Sequence, residues 1–435
     1  MSSVLLCVIF FGVWSFLDAD QEISALEKRT LAQVPDFSLA TLFAGDFTRD
    51  YESYYADNFP RRDGFITLSY ALNHVYYFDF GQNTVIVGRR EVGNGEGANA
   101  ASPPTEDDPL TVPAEPPVAP LPKLIFPTED EVIQKDSILL IGDRAVEIPY
   151  TVPDRVTRYA AAINLTQTLM PGRRVISLII PNGAEFYSPE KFHSGPYSQK
   201  DMITLAYSQM DPAVFTVDAY TRLREKADQY LYFRTDHHWT ARGAYQAYFA
   251  YCESLGFKPV PLESFSTGRY ENFVGSMYNW TSNLPQSKQL LDHPDYVEYF
   301  VPLVESTAAY YFSTGMTAPY PIPVVDTELP DDTANKYLCF IRGDTPLCQI
   351  ITANSNGKKC IVFKESYGNA FIPFLTSHYD EIYVVDPRLF NTASTPAFNL
   401  PSFVNEHDIN DIVFINYSFI PNNSAYIAMI ENMLN

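Results

Sequence analysis

Apolar residues along this chain gather into short runs of two kinds. In the first kind they are nearly continuous: Val175-Ile176-Ser177-Leu178-Ile179-Ile180, Cys360-Ile361-Val362-Phe363, Ile382-Tyr383-Val384-Val385 and Ile412-Val413-Phe414-Ile415. Such runs predict strands covered on both faces, as a parallel sheet requires. Shorter strands are expected over 137–143, ending in a Gly142-Asp143 turn, and over Leu231-Tyr232-Phe233, leading into Asp236. In the second kind the apolar positions have helical spacing, over 154–169, 213–228 and 241–255, from 370–375 and at the C-terminus. Thr240 caps the start of the 241–255 helix and Gly256 lies just past its end. Strands alternating with helices imply an α/β domain with a mostly parallel sheet flanked by helices.

The alternation fails in three places. Residues 4–17 form an apolar run with the length of a signal-peptide core, short for a full bilayer span. No basic residues precede it and no small-x-small cleavage site is evident. An uncleaved membrane anchor is therefore expected ahead of a removed signal peptide, and both make the protein extracytoplasmic. Residues 18–90 read as a polar N-terminal segment packing on the main domain. It has aromatics at helical spacing over 47–63, a stop at Pro60 and a strand over 84–88. Residues 91–127 carry Pro103-Pro104, Pro109, Pro113, Pro116-Pro117, Pro120 and Pro122, with Glu106, Asp107, Asp108 and Glu115 among them. Proline removes backbone donors and carboxylates repel, so a disordered, solvated insertion without a core is expected. The α/β domain should then span 128–435, interrupted near 257–335 by a Tyr- and Pro-rich insertion that could cover its site. No internal repeat is present.

A chain of 435 residues with 46% hydrophobic content can bury a large core. Its net charge of −22, with no basic stripe, excludes nucleic acid, whose binding needs clustered Lys and Arg. The 30 Tyr and 30 Phe are mostly packing residues, although a tyrosine's apolar body and hydroxyl also suit a sugar-binding groove. Five cysteines form no C-x-x-C pair, which argues against zinc. Cys339 and Cys348 have hairpin spacing, but a domain this large needs no staple, and buried free thiols are expected.

Two segments carry the chemistry. Thr235-Asp236-His237-His238-Trp239-Thr240 supplies a carboxylate and imidazoles, and Lys364-Glu365-Ser366-Tyr367-Gly368-Asn369 supplies a hydroxyl just after an apolar strand. Acyl transfer through serine needs a nucleophile, a base and an acid that orients the base. In a parallel sheet ligands sit beyond the carboxyl ends of the strands, where Ser366 falls. Gly368 permits close approach there. Asn369, Tyr367 and, after the next strand, Arg388 are candidates for binding the oxyanion or substrate. Competing readings are a helix-capping Ser366, a capping Asp236, packed histidines, a surface salt bridge at Arg388, and a metal site of Asp236, His237 and His238. If 236–238 were extended, Asp236 and His238 would share one face and His237 the other, so triad geometry requires the loop to bend. A metal would want further ligands, and His74, His193, His293, His378 and His407 have no ligand-like spacing. Neither a metal nor a cofactor is expected.

Taken together, five stretches resemble the DHHW proteins, named for the motif present here as Asp236-His237-His238-Trp239. They are Glu27-Lys28-Arg29-Thr30-Leu31, the segment 54–63, Asp236 to Thr240, Asn272-Phe273-Val274-Gly275-Ser276-Met277-Tyr278, and 366–375. That family is related to SGNH-hydrolase-like proteins that O-acetylate alginate and other exported polysaccharides. The resemblance covers most of the chain outside 91–127. It implies an SGNH-hydrolase-like (flavodoxin-like) fold and a catalytic triad of Asp236, His238 and Ser366. The circularly permuted order, Asp then His then Ser, reverses that of ordinary SGNH esterases. His237 and Trp239 would support the triad from beside it. Glu365 departs from the Asp usual before the serine, which alters any hydrogen bond made there. The implied activity is that of an exported O-acetyltransferase or acetylesterase acting on a cell-envelope polysaccharide or other acyl ester. Its partners would be the membrane, through the N-terminal segment, and a cell-envelope acetylation machinery. The alternative is a non-catalytic glycan-binding or assembly protein of the envelope.

Overall fold

The computed structural model describes residues 132–390 and 397–435, with scattered positions between 23 and 59 and at 124 and 126–128. The apolar run 4–17, the strand expected over 84–88 and nearly all of 91–127 lie outside the described residues. The chain divides into two units, Met1–Pro60 with Pro122–Asn435, and Arg61–Leu121; the described residues belong to the first. Among the described N-terminal positions Phe47, Tyr51, Tyr54 and Tyr55 are helical, and the rings of Phe47, Tyr51 and Tyr54 touch in succession, as their spacing predicts.

After a short antiparallel pair, Ile23–Ser24 with Arg29–Thr30, the continuous part opens on a meander of β1 (Val132–Lys135), β2 (Ile138–Ile141) and β3 (Arg144–Glu147). Gly142, at φ 59°, turns β2 into β3. Then follow α1 (Pro153–Leu169), β4 (Arg174–Ile180), α2 (Gln199–Ser208), β5 (Phe215–Thr216) and α3 (Ala219–Glu225). The helix expected over 213–228 is thus shorter. Residues 215–216 pair in parallel with β4, and the Asp218 carboxylate accepts the Thr221 N–H, so the helix starts only at Ala219. Helix α4 (Ala241–Leu255) has both expected ends: Thr240 Oγ1 accepts from the Gly243 N–H and Gly256 is left-handed at φ 72°.

The Tyr- and Pro-rich stretch holds regular structure. β6 (Ser266–Phe273) and β7 (Asp295–Val301) form an antiparallel pair whose connection contains α5 (Ser276–Thr281), and β8 (Ser306–Tyr311) and β9 (Tyr320–Ile322) follow. The chain closes with β10 (Leu347–Thr352), β11 (Lys359–Lys364), β12 (Glu381–Val385), α6 (Leu400–Glu406), β13 (Asp411–Tyr417) and α7 (Ser424–Met433). The main sheet has eight strands in the order β9-β8-β10-β12-β11-β13-β4-β5. From β12 to β5 neighbours run parallel, and β10, β8 and β9 extend the sheet antiparallel.

Alternate side chains of the parallel strands face two cores. Ile176, Leu178, Ile180, Val362, Val413 and Ile415 pack toward α3 and α4. Val175, Ile179, Ile361, Phe363, Ile412 and Phe414 pack toward α1, α2, α6 and α7. This is a mixed α/β fold, and each such buried side chain stabilises it by about 1.5–3 kcal/mol. The four described cysteines, Cys252, Cys339, Cys348 and Cys360, are free and buried. No helix among the described residues is long and apolar enough to cross a membrane.

Candidate active site

The loop carrying the acid and the imidazoles is pinched at its base. Tyr232 and Trp239 form an isolated antiparallel bridge, the Phe233 N–H donates to His238 O (3.3 Å) and the Thr240 N–H to Leu231 O (2.8 Å). Residues 234–238 bend between these ties. Asp236 drives the bend, because its Oδ1 accepts the His238 backbone N–H at 3.0 Å and lies 2.5 Å from His238 Nδ1. A carboxylate only accepts, so the ring proton sits on Nδ1 and Nε2 is left as an acceptor. That Nε2 lies 2.8 Å from Ser366 Oγ, across 128 residues of sequence. Asp236 and His238 are buried at 2% and 0% exposure, and the imidazole stacks on Tyr337 with centroids 4.2 Å apart.

The far side of Asp236 is held by the β6–β7 connection. Asp236 Oδ2 accepts the Ser276 backbone N–H (2.8 Å) and hydroxyl (3.0 Å). With that hydroxyl proton given to Asp236, Ser276 Oγ accepts from His237 Nδ1 at 2.6 Å. Gly275 is sterically obligatory, since a Cβ there would stand 2.2 Å from Asp236 Cβ and 2.3 Å from Oδ2. Its φ of −98° is ordinary, so space alone demands glycine. Asp295, at the head of β7, accepts the Thr235 N–H and hydroxyl, both at 2.7 Å, which ties the same hairpin to the loop.

The serine lies just beyond the carboxyl end of β11. Glu365 caps the turn: its Oε2 accepts the Tyr367 N–H (2.8 Å) and its Oε1 the Tyr417 N–H (3.0 Å) at the end of β13. Burial pushes this carboxyl up to about 7. Residues Ser366–Ala370 form one 3-10 turn, and an α-turn, Ile372–Leu375, follows. From Glu365 to Ala370 every residue is buried except Ser366, which keeps part of its surface in solvent. Two bonds lock turn to loop: Trp239 Nε1–H donates to Tyr367 O (2.8 Å) and the Tyr367 hydroxyl to His237 O (2.7 Å).

The remaining sequence candidates are mostly committed elsewhere. The Tyr367 N–H is taken by Glu365, and its hydroxyl by His237. Gly368 donates to Glu365 O (2.9 Å), and a Cβ on it would stand 2.6 Å from Lys364 Cβ, so it serves packing of the turn against its own strand. Asn369 is buried with Nδ2 on Asp344 Oδ1 (3.0 Å) and has no surface to offer an oxyanion. Arg388 binds Asp344 and Asp386 through Nη2, both at 2.6 Å. It is 40% exposed, and its Nη1 makes no hydrogen bond among the described residues, so Arg388 keeps an uncommitted donor at the surface. Beneath the turn Asp344 also accepts from buried Lys364 (2.7 Å). Against the cost of burial, the Lys364 and Arg388 cations hold the Asp344 carboxyl well below the usual range.

Asp236, His237 and His238 each offer one ligand atom within 4.8 Å of the others, close enough for a metal. A metal would have to displace the bonds that join Asp236 to His238 and His237 to Ser276. Ser276, Gly275, Asp295 and Asp344 carry the geometry but not the reactive groups, and sequence reasoning gave them no role. Only the family-like stretch 272–278 marked two of them.

The sequence model of one family, described as DHHW protein, matches residues 131–385. The crystal structure of a DHHW family protein from Eubacterium siraeum is 29% identical, with a TM-score of 0.60 over 69% of this chain and 97% of that one. The structure of Bacillus cereus PatB1 with a sulfonyl adduct is 16% identical, with a TM-score of 0.53 over 69% of this chain and 97% of that one; the likeness is one of fold. No curated protein matches. With the family's sequence model spanning more than half of its length, the chain belongs to the DHHW protein family.

Proposed function

We propose that this protein is an exported acyl-ester enzyme, an O-acetyltransferase or acetylesterase, acting on a cell-envelope polysaccharide. The observation that carries the reading is the unbroken chain from Asp236 Oδ1 to His238 Nδ1 (2.5 Å) and from His238 Nε2 to Ser366 Oγ (2.8 Å), ending on the accessible residue of its turn. The family resemblance to polysaccharide O-acetylation proteins supports the substrate class, and the apolar run at 4–17 supports export.

Ser366 Oγ attacks the acyl carbonyl while its proton passes to His238 Nε2. Asp236 stabilises the imidazolium and keeps the ring from turning. The C–O bond to the donor alcohol breaks, the alcohol leaves with the proton from Nε2, and the acetyl group stays on Ser366. A glycan hydroxyl or water then gives its proton to His238 and attacks the acetyl carbonyl, restoring Ser366. Arg388 Nη1 is the remaining charged donor for the carbonyl oxygen.

The test is hydrolysis of para-nitrophenyl acetate by the wild type and by Ser366→Ala, His238→Ala and Asp236→Ala. Losses of about 10³-fold or more are expected, Asp236→Ala being the mildest. Retained turnover in all three variants removes the triad. Glycan binding by a wild type with no ester turnover leaves the non-catalytic envelope role in its place.

A further inference from the structure

Trp239 is fully buried, whereas Trp280 in α5 is 38% exposed. The Trp280 indole lies on the ring of His237, with centroids 5.1 Å apart and planes 31° from parallel. The His237 ring in turn is 3.8 Å from that of His238, so the exposed indole is two ring contacts from the base. No other ring touches Trp280 among the described residues, and its Nε1–H makes no hydrogen bond there. More than a third of this large ring therefore stays in water beside the base, with a donor at its edge that the fold does not use.

The backbone that carries the indole is anchored at both ends of its helix. Lys135 Nζ donates to Trp280 O (2.5 Å) and to Asn283 Oδ1 (2.7 Å), fixing the end of α5 to β1. The other end of α5 starts at Ser276, whose N–H and hydroxyl grip Asp236. One short helix therefore carries both the support of the catalytic acid and the exposed ring. Tyr417 stands nearby, its ring 6.4 Å from His237 and stacked at 4.8 Å on Tyr367. A flat apolar face with one donor at its edge matches the C–H face and hydroxyl rim of a pyranose.

Building on the acyl-ester reading, we propose that Trp280 is the sugar-stacking platform of the Ser366 site, holding one pyranose ring of the glycan so that its neighbour reaches the nucleophile. The inference concerns binding alone, so it is tested in the Ser366→Ala protein, where turnover is blocked and failure of the chemical reading does not interfere. Calorimetric titration with hexa-N-acetylchitohexaose and with hexamannuronate reads the dissociation constant for a neutral and an anionic oligomer. Saturable binding of one of them is expected. Its dissociation constant should rise about ten-fold or more when Trp280→Ala is added. Trp280→Phe, which keeps a ring on His237, should fall between, and a ligand-dependent shift in indole emission should vanish in that variant. Saturable binding of neither oligomer, or an equal constant in the Trp280→Ala protein, overturns the proposal.

Discussion

Gly275→Ala places a single methyl group against Asp236, the acid of the proposed triad. The new Cβ would stand 2.2 Å from Asp236 Cβ and 2.3 Å from its Oδ2, where carbon contacts normally settle at about 3.5–4.0 Å. Relief requires a shift of roughly 1.5 Å, borne by Asp236 or by the hairpin that grips it. The φ of −98° suits alanine, so backbone strain adds nothing to the effect. A misplacement of about 1 Å in a reacting group costs about 10²-fold, and complete loss of the orienting acid sets a ceiling near 10⁴-fold. We predict a fall in kcat for para-nitrophenyl acetate within that range, with about 1–3 kcal/mol of lost stability from overpacking. Gly268→Ala is the control. Its Cβ would meet the Tyr299 hydroxyl at 2.2 Å and ring carbons Cζ and Cε2 at 2.4 and 2.9 Å, but these form the outer end of a partly exposed side chain that can swing aside. A folded Gly275→Ala protein with near wild-type turnover would refute the claim that the β6–β7 connection sets the position of the acid.

Ser276→Ala removes one of two bonds to Asp236 Oδ2 and the acceptor of His237 Nδ1, keeping the backbone N–H; steady-state kinetics should show kcat lowered about ten-fold with KM little changed. An unchanged kcat would count against the hydroxyl's role. Lys364→Met strips Asp344 of its buried partner, and denaturant unfolding should show about 3–5 kcal/mol of lost stability; a change below about 1 kcal/mol would mean that Arg388 and Asn369 suffice. Burial raises the Glu365 carboxyl from 4.5 to about 7, so between those values the folded chain binds the extra proton and this residue's contribution falls as pH rises. Glu365→Gln should therefore gain stability relative to wild type from pH 5 to pH 7, on the order of a few kcal/mol, read as diverging melting temperatures; parallel curves would contradict the shift. Using a difference cancels His378, which burial lowers to about 4 and which tilts the total in the opposite sense.

The parallel core was readable because strands covered on both faces must be apolar nearly throughout, as in β4, β11 and β13. Helix α4 was readable from Thr240 and Gly256 because caps are local chemistry. Strands β8, β9 and β10 were missed, since Gln349 and Thr352 break the apolar run of β10 and its pairing with β8 and β12 is a tertiary matter. The two halves of the site were visible as reactive residue types at strand ends. Their support was not: nothing about Ser276 announces a carboxylate 40 residues away, and only the hairpin brings them together. Asn369 misled because an amide after a serine suits an oxyanion, while Asp344, from a distant loop, claims it.

The central claim is that Ser366 takes an acyl group with His238 as its base. Intact and peptide mass spectrometry after rapid mixing with para-nitrophenyl acetate tests it most directly. One acetyl group per chain, on Ser366, is predicted in the wild type, with none in Ser366→Ala and a strongly slowed appearance in His238→Ala. An unmodified Ser366, or acetylation at the same rate without His238, would contradict the account.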